Sequence, residues 1–238
     1  AGRDLEAETV MFYGIGSIGL GALRLMLDVL PHPAELRLCD PFRSASYFAE
    51  LETTLREQHG YRGTIRVAGN QNADFYDATV ITGATNVENV LDVARLAPGT
   101  LVVDDSSPHC LNGPAAFARF HESRDILFTE GGFVRSGEPM PRIIHVPAGA
   151  GPGLQVEIPK LFFSMLRSED ITGCILSALL SAQRPDLPPT IGLIEPSAGR
   201  RHWRALAELE FTAAKLNYEG TYLDPTRIAA FRENTVSA

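Results

Sequence analysis

Apolar and polar positions fall into short alternating blocks along this chain. Val10-Met11-Phe12-Tyr13 is wholly apolar, and after a glycine-rich turn the stretch Leu20 to Leu30 carries apolar residues at helical spacing, with small residues among them. The first block predicts a short buried strand and the second a helix. A second strand ends at Cys39-Asp40, and Ser44 to His59 predicts a helix closed by Gly60. Thr64 to Ala68 predicts a third strand and Asp77 to Thr82 a fourth. The fourth leads into the loop Gly83-Ala84-Thr85-Asn86 and a helix that runs through Leu96 until Pro98-Gly99 stops it. Leu101-Val102-Val103 is apolar on both faces, as a strand covered on both sides must be. Asn112 to His121 predicts a helix, and Ile126-Leu127-Phe128 a sixth strand running into Gly131-Gly132.

Strands alternating with helices at this spacing imply an α/β fold: a doubly wound parallel Rossmann sheet with right-handed crossovers. From Pro139 to Leu154 prolines and glycines cluster, which marks a boundary or a long functional loop. The expected division is a dinucleotide-binding domain over residues 1–148 and a helical C-terminal region over 149–238 packed on it. Glu169 to Gln183 and Arg201 to Tyr218 predict helices in that region, joined through Pro185 to Pro189.

The turn after the first strand, Gly14-Ile15-Gly16-Ser17-Ile18-Gly19, gives this fold a chemistry. Its glycines permit a tight turn, close approach of backbone to a pyrophosphate, and packing of the helix on the sheet. The helix N-terminus supplies unpaired N–H groups and partial positive charge for the diphosphate. Asp40, about 20 residues on, stands where a ribose diol is gripped. The cofactor is therefore expected to be NAD or NADP. Asp40 favours NAD, whereas Arg43 and Ser44 offer a hold for a 2′-phosphate. Ligands of such sheets lie beyond the carboxyl ends of the strands. The glycine turn, Gly83 to Asn86, Asp104 to Cys110 and Glu130 to Val134 should therefore converge there. Gly14, Gly16, Ser17, Ile18, Gly19, Asp40, Arg43, Gly83, Ala84 and Thr85 are the candidate cofactor-binding residues.

Composition narrows the partners. The 238 residues are 45% hydrophobic and 21% charged, ordinary values for a globular protein. A net charge of −8 opposes a polyphosphate backbone, so nucleic acid is an unexpected partner. No apolar run reaches the roughly 18 residues of a membrane span, and Ala1 to Thr9 is polar, unlike a signal peptide; a cytoplasmic protein is expected. Cys39, Cys110 and Cys174 are too few and scattered for a disulfide framework or a structural zinc site, so no metal is expected. HExxH, CxxC, GxSxG and GxxxxGK patterns do not occur.

Two residues are candidate catalytic groups. Cys174 lies near the start of the helix expected from Glu169, with Asp170 or Thr172 as N-cap, and the positive helix end raises its thiolate fraction; the competing reading is a buried core cysteine. His109 follows the fifth strand, where it can donate a proton to a developing alkoxide; in the plainer reading Asp104 and Ser106 cap a turn and His109 is solvated. Cys110 lacks a helix-end field, and Cys39 reads as a small buried hydrophobe. His145 reads as a satisfied strand histidine. Arg200-Arg201-His202-Trp203-Arg204 reads as a solvated helix start or a contact for an acidic carrier.

From the glycine turn to the C-terminus the sequence resembles the long-chain acyl-(acyl carrier protein) reductases of cyanobacteria. Its Rossmann part more distantly resembles glutamyl-tRNA reductase and shikimate dehydrogenase. The residues that carry this are Gly14 to Gly19, Leu101-Val102-Val103-Asp104 through Pro108 and Leu111, Gly131-Gly132-Phe133-Val134, Gly173 to Leu180, and a closing helix from Trp203 to Tyr218. The resemblance implies a Cys174 acyl-enzyme reduced by nicotinamide hydride to an aldehyde. Asp40 stands where that family has an arginine, and His109 where it has a lysine. The expected function is thus an NAD(P)-dependent reductase of a small-molecule or carrier-bound acyl thioester, or a related carbonyl. The alternatives are an alcohol, imine or amino-acid dehydrogenase without covalent catalysis, and a dinucleotide-binding partner subunit of a larger assembly. A homo-oligomer is compatible with each.

Overall fold

The computed structural model describes residues 2–68, 75–141, 145, 149, 151, 167–190 and 192–236. Six strands form one sheet: β1 (Thr9–Tyr13), β2 (Glu35–Cys39), β3 (Thr64–Ala68), β4 (Val80–Gly83), β5 (Leu101–Asp104) and β6 (Leu127–Glu130). They lie in the order β3-β2-β1-β4-β5-β6 and every pairing is parallel. This is the doubly wound Rossmann-like sheet that the alternating pattern implied.

Register decides what this sheet can do. Ala68 pairs with Cys39, Cys39 with Tyr13, Tyr13 with Gly83, Gly83 with Asp104, and Asp104 with Glu130. One straight row of partners ends the six strands, so the following loops all leave the sheet at a common edge. Strand order reverses between β1 and β4, which opens a crevice at that edge.

The helices follow from caps and apolar spacing. In α1 (Ser17–Val29) Leu20, Leu23 and Leu27 are buried against Val10 and Phe12 of β1 and Leu36 and Leu38 of β2. Phe48, Leu51 and Leu55 of α2 (Ala45–Gln58) join that core, and the Ser44 hydroxyl accepts from the Tyr47 N–H to cap the helix. Asn112 caps α3 (Gly113–Glu122) in the same way by accepting from the Ala115 N–H.

The helix expected after Asn86 does not form. Asp92 accepts from the Ala94 N–H and supports only a 3-10 turn over Val93–Arg95, while Asn89 sits at φ 52°. Leu91 is bridged in parallel to Leu111 instead, its N–H donating to the Cys110 carbonyl. Short polar side chains bonded to nearby amides compete with helix, and here they win.

The chain divides into two compact units: residues 1–131, 190–200 and 224–238 in one, 132–189 and 201–223 in the other. In the second unit the strand Phe133–Arg135 pairs antiparallel with Asp170–Thr172 and with Thr212–Ala213. Leu176, Leu180, Leu187 and Ala205 form its buried core. The helix expected from Glu169 starts at Gly173, because Asp170–Thr172 is a strand; the Asp170 carboxylate is buried against the Arg135 guanidinium and the Tyr222 hydroxyl. The helix expected over Arg201 to Tyr218 spans Pro196–Glu208. Glu210, at φ 59°, turns the chain out of it towards the strand Thr212–Ala213, and Asn217–Tyr218 then pairs with Thr221–Tyr222 across a Glu219-Gly220 turn in which both φ are positive. A further helix, Pro225–Val236, closes the chain. His145 is exposed and is not in a strand, while its neighbours in the expected strand and most of the proline- and glycine-rich segment lie outside the described residues. Among the described residues, no helix is long and apolar enough to cross a membrane.

Candidate dinucleotide site

The three glycines of the turn meet three different demands. Gly14 has φ +90°, and a Cβ on it would lie 2.2 Å from the Ala84 carbonyl oxygen, so the loop after β4 is pressed onto the turn. A Cβ on Gly19 would lie 2.0 Å from the Gly14 carbonyl oxygen, which seats the first turn of α1 against the turn backbone. Gly16 is the opposite case: a Cβ there would meet nothing within 4 Å. Gly16 is also the N-cap of α1 and offers no side chain to its first N–H groups. The structure therefore leaves uncapped amides facing open space, a cradle of the kind a pyrophosphate fills.

That space is a cleft of about 410 Å³. Of the sequence-predicted residues, Gly14, Gly16, Ser17, Ile18, Asp40, Ala84 and Thr85 line it. Gly19 and Gly83 lie beneath it as packing residues; a Cβ on Gly83 would come 2.3 Å from the Cys110 sulfur. Arg43 is not among the lining residues. Its guanidinium stacks 4.8 Å over the Tyr47 ring, with Nε 3.8 Å from Asp40 Oδ2. Tyr13, Pro41, Phe42, Asp105 and Ser107 also line the cleft. Phe42 is 79% exposed, and an exposed aromatic beside a cleft leaves no mark in apolar periodicity.

Asp40 does more than wait for a ribose. It is buried, its Oδ2 accepts from the Ile15 N–H at 2.9 Å and its Oδ1 from the Phe42 N–H at 3.0 Å. The carboxylate thus braces the glycine turn and fixes its own orientation. Each oxygen retains a further lone pair for a diol.

The loop after β5 is organised by Asp104. Its buried carboxylate accepts from the Ser106 N–H through Oδ1 and from the Cys110 and Leu111 N–H groups through Oδ2. His109 lies between acids: Nε2 is 2.9 Å from Glu130 Oε1 and Nδ1 is 3.5 Å from Asp104 Oδ2. It is not among the residues lining the cleft. Asp105 is. Burial, and next the charge of Asp104, raise its carboxyl above the ordinary carboxylate range.

The cysteines separate by environment. Burial pushes the Cys39 thiol up to about 12, and burial beside Asp104 raises Cys110 as well, so neither offers thiolate. Cys174 is exposed, the second residue of the helix Gly173–Gln183, with its sulfur 3.4 Å from the Thr172 hydroxyl. The core-cysteine reading of Cys174 is therefore not what the structure shows. Thr172 is the N-cap, and its side chain makes no capping bond. Cys174 belongs to the second unit, whereas the cleft is built from the first. Of the basic cluster, Arg200 pairs with Asp28, and Arg201, Trp203 and Arg204 are exposed. Among the described residues, no group of three or more His, Cys, Asp or Glu gathers to hold a metal ion.

No protein family matches this chain, and no curated protein does. Solved structures with a similar course include Haloferax mediterranei glucose dehydrogenase in complex with NADP, zinc and gluconolactone, at 15% identity and a TM-score of 0.38, over 55% of this chain and 38% of that one. Another is the guanylylpyridinol- and ATP-bound HcgE from Methanothermobacter marburgensis, at 15% identity and a TM-score of 0.30, over 43% of this chain and 63% of that one. The chain spans less than two thirds of either.

Proposed function

We propose that this chain is an NAD(P)-dependent oxidoreductase that reduces an acyl thioester, free or carrier-bound, or a related carbonyl. The observation that carries the reading is the glycine turn, where Gly14 and Gly19 are sterically compelled and Gly16 leaves the uncapped end of α1 open to the cleft. Gly16, Ser17 and Ile18 would hold the pyrophosphate, and Asp40 a ribose diol. When bound, the nicotinamide supplies hydride.

The thioester reading adds Cys174. Its exposure and its place in the first turn of a helix support nucleophilic attack on the thioester carbonyl. Cys174 would form a carbon–sulfur bond to the acyl carbon as the bond to the carrier sulfur breaks and the carrier thiol leaves with a proton, and hydride supplied by a bound nicotinamide would then release the aldehyde and return the Cys174 thiol. A second reading, a dehydrogenase without covalent catalysis, draws on Asp105, which lines the cleft as a titratable group.

The test is turnover of acyl thioesters with NADH or NADPH by the whole chain and by Cys174→Ala, alongside acyl labelling of the protein. Loss of both turnover and label in the variant supports the thioester reading. Undiminished turnover in Cys174→Ala leaves the dehydrogenase reading in its place.

A further inference from the structure

We propose that Asp105 is the proton-exchanging group of the cleft, and that its charge is coupled to the oxidation state of the dinucleotide held there. The inference rests on the dinucleotide reading and gives that site its acid–base residue.

The Asp105 N–H donates to the Gly83 carbonyl at 2.8 Å, which ties the residue to the shared edge of β4 and β5. Its side chain lies against Gly131, where a Cβ would come 2.8 Å from Asp105 Cβ and 3.2 Å from Cγ. Gly131 therefore makes room for this carboxyl. A dinucleotide held at Asp40 and the glycine turn would have the ends of β4 and β5 beside it, where Thr85, Asn86, Asp105 and Ser107 line the cleft.

Asp105 differs from its neighbour Asp104 in what its carboxyl meets. Asp104 is buried and its oxygens are engaged by three backbone amides, so it is a bracket for the loop. Asp105 faces the cleft with Asp104 below it on β5, Glu130 at the end of β6, and His109 between those two acids. Burial and the Asp104 charge both favour its protonated form. Two adjacent carboxyls held in such different surroundings are fitted to different roles: one is taken up by three backbone amides and one is open to the cleft.

The chemistry balances. Reduction of a carbonyl by hydride needs a proton at its oxygen, which Asp105 would supply, and the carboxylate left behind would be favoured by the positive charge of an oxidised nicotinamide held in the cleft. In the oxidative direction the same carboxylate accepts the alcohol proton. An oxidised, cationic ring would thus favour ionised Asp105, whereas a reduced, neutral ring would exert no such pull.

Calorimetric titration of the whole chain with NAD⁺, NADP⁺ and their reduced forms, across the full pH range in which the chain stays folded and in buffers of different ionisation enthalpy, tests this. Affinity for the oxidised form is expected to rise with pH by up to about tenfold per unit through the titration of Asp105, with proton release, while the reduced form stays flat. Asp105→Asn is expected to bind both forms without pH dependence, and Glu130→Gln to keep the wild-type profile. A pH dependence that survives Asp105→Asn, or that vanishes in Glu130→Gln, overturns the proposal. So does wild-type binding that is flat with pH, which leaves the dinucleotide reading intact. No heat with any form overturns that reading and this inference together. If Asp105→Asn fails to fold, carbon NMR of the wild-type carboxyl decides: a titration above the ordinary carboxylate range that moves down on adding oxidised dinucleotide supports the proposal, and an ordinary, unmoved titration overturns it.

Discussion

Gly14 and Gly16 lie two residues apart in one motif, yet the structure asks opposite things of them. Gly14→Ala places a Cβ against the Ala84 carbonyl at φ +90°, and is expected to cost about 1–3 kcal/mol, visible as a lowered melting temperature. Gly16→Ala meets no atom and is expected to change stability by less than about 1 kcal/mol. The sequence made the motif legible but not this division of labour, which depends on how close the loop after β4 comes. Asp40 was legible as a residue of the cleft, while its hold on the Ile15 amide was not, since no local pattern announces a bond across 25 residues. The cysteines separate as residues too. A thiol reagent is expected to modify Cys174 rapidly in the folded protein, and Cys39 and Cys110 only on unfolding. Rapid labelling of Cys110 would contradict its burial.

At the scale of elements, side-chain caps distinguish the N-terminus of α1 from those of α2 and α3. α2 and α3 carry side-chain caps at Ser44 and Asn112, whereas α1 has only Gly16. Asn112→Ala is expected to lower stability by about 1 kcal/mol in a denaturant titration without altering dinucleotide binding. The six strands were legible because short apolar blocks covered on both faces are hard to mistake once helices separate them. The segment from Val87 to Leu96 was misread because its apolar residues suit a helix, while Asp92, Asn89 and the bridge from Leu91 to Leu111 draw the backbone elsewhere. The strands at Asp170–Thr172 and Thr212–Ala213 are too short to show a period of two, and their partners are remote in sequence.

For the molecule as a whole, two acids act on pH stability with opposite sign. Burial raises the Asp170 carboxyl, but hydrogen bonds from Arg135 and Tyr222 outweigh it and hold it below the ordinary range. Its contribution is present above the unfolded-state pKa and is lost as pH falls through the lower folded value. Asp105, raised in the folded state, contributes at low pH and loses that contribution as pH rises above its unfolded value. Thermal melts across acid pH should therefore show Asp170→Asn flattening the acid limb, and Asp105→Asn leaving that limb in place.

The central claim, that the glycine turn and the open end of α1 hold a nicotinamide dinucleotide, is tested most directly by calorimetric titration of NADH and NADPH into the wild-type chain and into Gly16→Val. A Cβ at Gly16 has free space within the protein, so the variant should remain folded while filling the cradle. The expected result is saturable binding of at least one dinucleotide to the wild type and a loss of at least about tenfold in affinity in the variant, about 1.4 kcal/mol. Absence of binding heat in the wild type, or equal affinity in a folded Gly16→Val, would contradict it.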